Sequence, residues 1–553
     1  MIRLFDNHYK RRVKELDGMW DFCVPQSDKK YTLPVPGCWE QHPAFYSYRG
    51  QGEYTKTVYV EKDCNLRLEF KGVSHTADVY FDGEKVAHHY NAYTPFSAVI
   101  CGVQKGEHEI KVQVDNSFSE SSALHIPNDY YTYGGITRPV GLEMLGDAYI
   151  KNIHFTPYME EDGWHGKTEV TVCNLTDRSL AVYLCGELAE HIMADNLVLP
   201  PNGEETVVFE SGFGDVKAWS DKAPNLYYLN FTLSAEGKEI DDLIERVGFR
   251  TVELKGKDIL LNGEKIFLKG FNRHEDYASE GCAVSFGHLV QDINLMQDMG
   301  ANALRTCHYP NDERTLDLCD ERGILVWEEN HARGLSIKQM QNPNFEKQCA
   351  DCIDEMIENH YNHPSIVIWG ILNECASQTD EGREMYKKQF EQIKSLDTSR
   401  PHTFATCMHF TDKSLDLPDI LSVNLYVGWG EHEDTKERID RQAKWMLECA
   451  GEERPIIISE FGAGAIYGLR DKTCQKWSEE YQAEVIRENL EVYMNKEEIS
   501  GTFVWQFADC RVTPEVWFGA RAGCRNNKGI VDMYRRPKLA YDVIKEMFNK
   551  KEN

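Results

Sequence analysis

Near its midpoint this 553-residue chain changes its hydrophobic grammar, and that change constrains the fold more than any other feature. Up to Val247-Gly-Phe-Arg250, apolar and polar residues alternate with period two, as in Leu66–Phe70, Ala77–Phe81 and Glu109–Asp115. Such alternation belongs to half-buried antiparallel strands. Asp82-Gly83, directly after Val79-Tyr80-Phe81, marks a hairpin. A second strand-rich block opens around Gly146 and contains Thr168–Cys173, Thr206–Phe209 and Leu226–Leu233. Its length of about 100 residues suits a small immunoglobulin-like sandwich, although no Cys–Trp–Cys signature accompanies it. Beyond Arg250, short apolar runs alternate with longer helical stretches. Eight runs are legible: Ile266–Phe271, Ala303–Thr306, Ile324–Trp327, Ile366–Leu372, Thr403–Ala405, Leu421–Leu425, Ile456–Ser459 and Thr502–Trp505. Between them lie amphipathic segments such as Asp312–Arg322, Asn344–Asn359 and Glu480–Asn495. Eight strand–helix units predict a (β/α)8 barrel rather than a doubly wound sheet.

Charge narrows the partners. The chain carries 61 basic against 90 acidic residues, a net charge of −29. That surface repels nucleic acid and anionic membranes, so an anionic substrate would need local positive charge. No apolar run of 18 residues exists to span a bilayer, and the N-terminus shows no apolar signal core. The expected location is cytoplasmic. Seventeen cysteines without framework spacing read as reduced thiols, and the CxxC of Cys349 and Cys352 sits in a helical stretch with no second pair nearby. No Gly-rich phosphate loop opens a helix, so no nucleotide cofactor is indicated.

In such a barrel, polar residues just past the strand ends line the site. The chain places one at nearly every end: Asn272–Asp276, Cys307-His308-Tyr309, Glu328–His331, Asn373-Glu374, Asn424 with Tyr426, Glu460, and Gln506 with Asp509. Glu374 and Glu460 end the fourth and seventh runs, which face each other across the mouth. Two converging carboxyls suit glycoside hydrolysis, one protonated to donate to the leaving oxygen and one ionised to attack the anomeric carbon.

Motifs along the whole chain resemble glycoside hydrolase family 2, most closely its bacterial β-glucuronidases. Leu16–Phe22, Val35–Trp39 and Tyr54–Val58 are similar to the opening of that family's jelly-roll domain, and Lys269–Asp276, Asn302–Pro310 and His363–Glu374 to its barrel motifs. The resemblance implies three units: a jelly-roll sugar-binding-like domain at 1–145, an immunoglobulin-like sandwich at 146–248 and a catalytic barrel at 249–553. It implies Glu374 as general acid/base, Asn373 holding the sugar 2-hydroxyl, and Glu460 as nucleophile. Arg305 and Tyr426 resemble the groups beside the nucleophile, His308 a site-lining residue, and Trp505 the aromatic that floors the sugar pocket. Asn526 and Lys528 resemble the Asn-x-Lys motif that grips a substrate carboxylate, with Arg521 nearby, and Asp129 resembles the sugar contact from the N-terminal domain. No metal or organic cofactor is implied; a homodimer or homotetramer is.

The expectation is a retaining, exo-acting β-glucuronidase. β-Galacturonidase and β-galactosidase use the same glutamates, and a carbohydrate-binding protein would need neither. Gly430 stands where some glucuronidases carry a tyrosine, Arg521 lies one residue off the family spacing with Arg525 as a competitor, and Cys375 replaces a common proline. The segment Glu328–Pro343 is too short for a long lid, which predicts an open pocket suited to large aglycones.

Overall fold

The computed structural model describes residues 2–25 and 27–550. The first unit is a sandwich of two antiparallel sheets. One holds four strands in the order Arg12–Glu15, Val140–Leu145, Cys64–Phe70 and Phe96–Val103. The other holds six, in the order Tyr31–Val35, Gly18–Cys23, Gln51–Val60, Gly106–Asp115, Thr76–Phe81 and Glu84–Tyr90. Their inward faces interdigitate Trp20, Phe22, Tyr54, Leu68, Val79 and Val112 into one core. The Asp82-Gly83 turn joins its strands with φ of 50° and 85°, the left-handed pair that a tight hairpin requires.

A smaller sandwich follows. Ala148–Glu160, Gly163–Asn174 and Glu204–Gly214 form one sheet, and His191–Leu199, Leu180–Leu188, Tyr227–Ala235 and Lys238–Val247 the other. Val170, Val172, Leu184 and Phe231 are fully buried between them. A hairpin sheet of Val252–Lys255, Asp258–Leu261 and Glu264–Ile266 then leads into the barrel.

Eight parallel strands close the barrel: β1 Leu268–Asn272, β2 Ala303–Arg305, β3 Leu325–Glu329, β4 Ile366–Ile371, β5 His402–Thr406, β6 Ile420–Asn424, β7 Ile456–Phe461 and β8 Ile499–Val504. Each expected run holds a strand. They are apolar because both faces are covered, by helices outside and by Trp327, Ile368, Ile457 and Phe503 inside. The start of the first run differs: its Ile266 belongs to the preceding hairpin. The fifth unit differs more. Among the described residues no helix lies between β5 and β6; an irregular segment, 407–419, covers that wall and buries Leu415. The helices elsewhere carry their own stops, as in Glu313–Arg322, which is capped by the Asp312 side chain and ends at left-handed Gly323. No helix is long and apolar enough to cross a membrane.

Candidate active site

The C-terminal ends of the strands converge on Glu374 and Glu460. Glu460, near the end of β7, is 3% exposed. Its Oε1 accepts from Arg305 Nη1 at 3.1 Å and its Oε2 from the Tyr426 hydroxyl at 2.7 Å. Burial, followed by the nearby Glu374 carboxylate, pushes Glu460 up to about 7, while Arg305, Tyr426 and Arg333 pull it down. A proton on Glu374 therefore favours charge on Glu460. Glu374 follows β4 with φ at 53°, and Leu372 before it has φ at 46°. Two left-handed residues so close are costly, and they turn the carboxyl inward. Its Oε1 accepts from Asn424 Nδ2 at 2.9 Å and its Oε2 lies 3.2 Å from Arg333 Nη2.

Arg305, at the end of β2, organises the floor. It donates to both oxygens of Glu329 at 2.9 Å, to Asn272 Oδ1 at 3.0 Å and to Asn373 Oδ1 at 2.8 Å. Asn373 is thereby fixed with its amide nitrogen buried and unpartnered. His308 bonds Glu329 through Nδ1 at 2.8 Å and stacks on Trp505, with centroids 5.1 Å apart and planes at 16°. Its Nε2 makes no hydrogen bond and lies 3.8 Å from Glu460 Oε1. Desolvation and Arg305 hold the ring well below its ordinary value, so it is neutral.

The far wall comes from two bodies. Asp129, on the segment between the sandwich strands Gly106–Asp115 and Gly135–Ile136, accepts from Arg521 Nη2 at 2.6 Å and Asn526 Nδ2 at 3.0 Å, both beyond β8. Its second oxygen is buried without a partner. Lys528, 8% exposed, points its ammonium across the rings of Tyr426 and Trp429, at 5.6 and 5.7 Å. Among the described residues no carboxylate lies within ion-pair distance of it, and burial with Arg521 brings it down to about 8. Four buried atoms without a hydrogen-bond partner (Asn373 Nδ2, His308 Nε2, Asp129 Oδ1 and Arg521 Nε) belong to residues singled out as substrate contacts.

The eleven residues that the resemblance singled out thus lie together around these strand ends. Others do not. Asp509 pairs with Lys538 at 2.8 Å instead of entering it. Arg525 lies on the short strand Arg525–Asn526, opposite Arg511, while Arg521 takes the place beside Asp129. Cys349 and Cys352 are buried core residues of the helix Phe345–His360. Sequence reasoning missed Arg333. It follows β3, bonds Asn128 Oδ1 at 3.1 Å and reaches Glu374, so the short segment that lacks a lid delivers a guanidinium instead.

Three regions match family models described as glycosyl hydrolases family 2: the sugar binding domain over residues 13–145, the family 2 domain over 148–250, and the TIM barrel domain over 252–553. A crystal structure of a GH2 beta-galacturonidase from Eisenbergiella tayi, bound to galacturonate, is 49% identical with a TM-score of 0.96, each chain covered over 100%. Beta-glucuronidase of Sus scrofa is 27% identical over 616 residues, covering 98% of this chain and 91% of the relative. A longer protein of Formosa agariphila is 28% identical over 547 residues, 91% of this chain, which spans 64% of that relative's length. With strand ends, paired carboxylates and all three regions in agreement, the chain belongs to glycosyl hydrolase family 2.

Proposed function

We propose that the chain is a retaining, exo-acting β-D-hexuronidase that cleaves terminal β-galacturonides, with Glu460 as nucleophile and Glu374 as acid/base. The observation that carries the uronide reading is Lys528, a buried ammonium with no carboxylate at ion-pair distance among the described residues, on the same wall as Asn526 and Arg521. A cation left in that condition is stabilised by a ligand carboxylate. Glu460, held by Arg305 and Tyr426, attacks the anomeric carbon, and the leaving oxygen takes its proton from Glu374. The glycosyl ester is then opened by water, with Glu374 as base. Asn373 Nδ2 supplies a donor for the 2-hydroxyl, Asp129 Oδ1 an acceptor for a ring hydroxyl, and Trp505 with His308 a flat floor.

Galacturonate is preferred to glucuronate on two grounds. The Eisenbergiella protein shares 49% of its residues over the full chain, against 27% for the pig glucuronidase. Gly430 also brings no tyrosine hydroxyl to this wall. Glucuronide hydrolysis is the second reading, favoured by the Asn526-x-Lys528 motif. The two sugars differ only at C4, so the test is kcat/KM on p-nitrophenyl β-galacturonide, glucuronide, galactoside and glucoside. A tenfold or greater preference for the galacturonide supports the proposal. Preference for either neutral sugar refutes the carboxylate reading, and preference for the glucuronide replaces the first substrate with the second. The proposal includes a cytoplasmic homodimer or homotetramer, which light scattering on the purified chain measures.

A further inference from the structure

The short ladder that carries Asn526 has a second face. Cys510–Arg511 and Arg525–Asn526 pair antiparallel, with Arg511 directly opposite Arg525. Side chains alternate along a strand, so Asn526 meets Asp129 on one side and Arg525 turns to the other. There a cavity of about 270 Å³ lies between the first sandwich, through Glu40, Tyr46 and Ser47, and the barrel, through Ser279, Arg511 and Arg525. Like charges directly opposite on a ladder repel, and this chain has 90 acidic residues with which to pair them. It pairs neither. Among the described residues no carboxylate lies within ion-pair distance of either guanidinium. That of Arg525 makes no hydrogen bond. That of Arg511 donates only to the Tyr46 carbonyl, at 2.8 Å, and packs on the rings of Tyr46 and Tyr131 at 4.2 and 3.9 Å. The acids nearby are engaged elsewhere. Asp276 accepts from the Arg511 amide, and Glu515, beside the cavity's Pro514, turns to Arg49 at 3.7 Å. Glu40 is 5% exposed with both oxygens on the Gly134 amide, and burial pushes it up to about 8.

We propose that this cavity binds a phosphate group bridged between Arg511 and Arg525. The pair supplies two positive charges and a set of uncommitted N–H donors in fork geometry. A phosphate matches both, with a charge of about −1.5 to −2 at pH 7 and three acceptor oxygens, whereas a carboxylate brings one charge and two oxygens. Ser47 and Ser279 line the same cavity, and no other group holds their hydroxyls. A volume of about 270 Å³ exceeds what a bare phosphate fills, so the group arrives either free or as the end of a small phosphomonoester. Binding removes the repulsion across the ladder. It uses neither glutamate and no part of the sugar pocket, so it does not rest on the hexuronidase reading.

Calorimetric titration of the intact chain with inorganic phosphate, at constant ionic strength, is the test. The sugar pocket also holds cations, so the titration is repeated on Lys528→Met, which should bind phosphate as the unsubstituted chain does. Arg525→Gln should weaken binding about tenfold or more, since it removes one of the two charged forks. Acetate should bind at least tenfold more weakly than phosphate. Glucose 6-phosphate identifies the source: tighter binding than that of inorganic phosphate assigns the site to a phosphomonoester, and equal or weaker binding assigns it to free phosphate. Protection of Arg525 from phenylglyoxal by phosphate, read from peptide masses of the unsubstituted chain, carries the test if Arg525→Gln fails to fold. Absence of phosphate binding, binding that Arg525→Gln retains, binding that Lys528→Met abolishes, acetate bound as tightly as phosphate, or Arg525 modified equally with and without phosphate overturns the proposal. Uronide hydrolysis without phosphate binding removes this inference alone; phosphate binding without uronide hydrolysis removes only the hexuronidase reading.

Discussion

Replacing Lys528 by methionine should stabilise the protein while destroying its use of anionic sugars. The ammonium lies buried beside Arg521 and Arg333, with Asp129 and Glu460 as the acidic groups that offset them and the rings of Tyr426 and Trp429 packed against it. Displacement from 10.5 to about 8 corresponds to about 3 kcal/mol of unfavourable charge burial. The folded value lies below the unfolded one, so between pH 8 and 10.5 the unfolded chain binds more protons and stability rises with pH. At pH 7 the charged side chain bears the whole penalty. Methionine keeps the stem and removes the charge, so Lys528→Met should raise Tm by about 3 °C at pH 7, a gain that shrinks above pH 8. The opposite should hold for catalysis. A buried ionic partner is worth roughly 2–5 kcal/mol when truncated, so kcat/KM on a uronide should fall about 30-fold to several thousandfold. A neutral galactoside should lose less than threefold. In the unsubstituted enzyme kcat/KM for the uronide should also decline above about pH 8, as Lys528 loses its proton in the empty pocket, with no such limb for the galactoside. Differential scanning calorimetry and a pH series on both nitrophenyl substrates measure all of this. Equal losses on charged and neutral sugars, or a Tm that falls, would refute the reasoning.

Other substitutions separate the remaining roles. Glu374→Ala should lose most activity on poor leaving groups yet recover turnover of an activated aryl uronide with azide, giving a β-glycosyl azide by NMR; an α-azide would contradict retention. Tyr426→Phe removes a 2.7 Å bond to Glu460 and should lower kcat by about 10–100-fold, since hydrogen bonds to charged groups contribute roughly 1.5–3 kcal/mol; a change confined to KM would assign the hydroxyl to the sugar instead. Asp292→Asn should cost about 3–5 kcal/mol by leaving Arg273 and Arg535, paired to it at 2.9 and 2.7 Å, buried without a counter-charge. Urea denaturation of that variant measures the loss.

What could be read from the chain, and what could not, divides along a physical line. Strand runs are local: buried parallel strands must be continuously apolar, so the eight runs located eight strands and Glu374 and Glu460 fell at their ends. The helix missing after β5 broke the pattern because 407–419 packs irregularly, with Leu415 doing what a helix face does elsewhere. Arg333 was invisible for a different reason. It lies four residues past the end of β3, and only the fold reveals that the segment turns back to meet Asn128 and Glu374.

The wall shared by Asp129, Arg521 and Asn526 has a consequence in time. Synthesis runs from the N-terminus, and the sandwich bearing Asp129 can fold as a unit long before Asn526 leaves the ribosome. The two halves of that wall are separated by 397 positions, and Lys528 follows two residues later. Neither the first sandwich nor an unfinished barrel holds the whole of the proposed sugar pocket. Hydrolytic competence therefore arrives only after residue 528 has been made, when the last strand has closed the barrel and the barrel has docked against a sandwich that has been waiting for it.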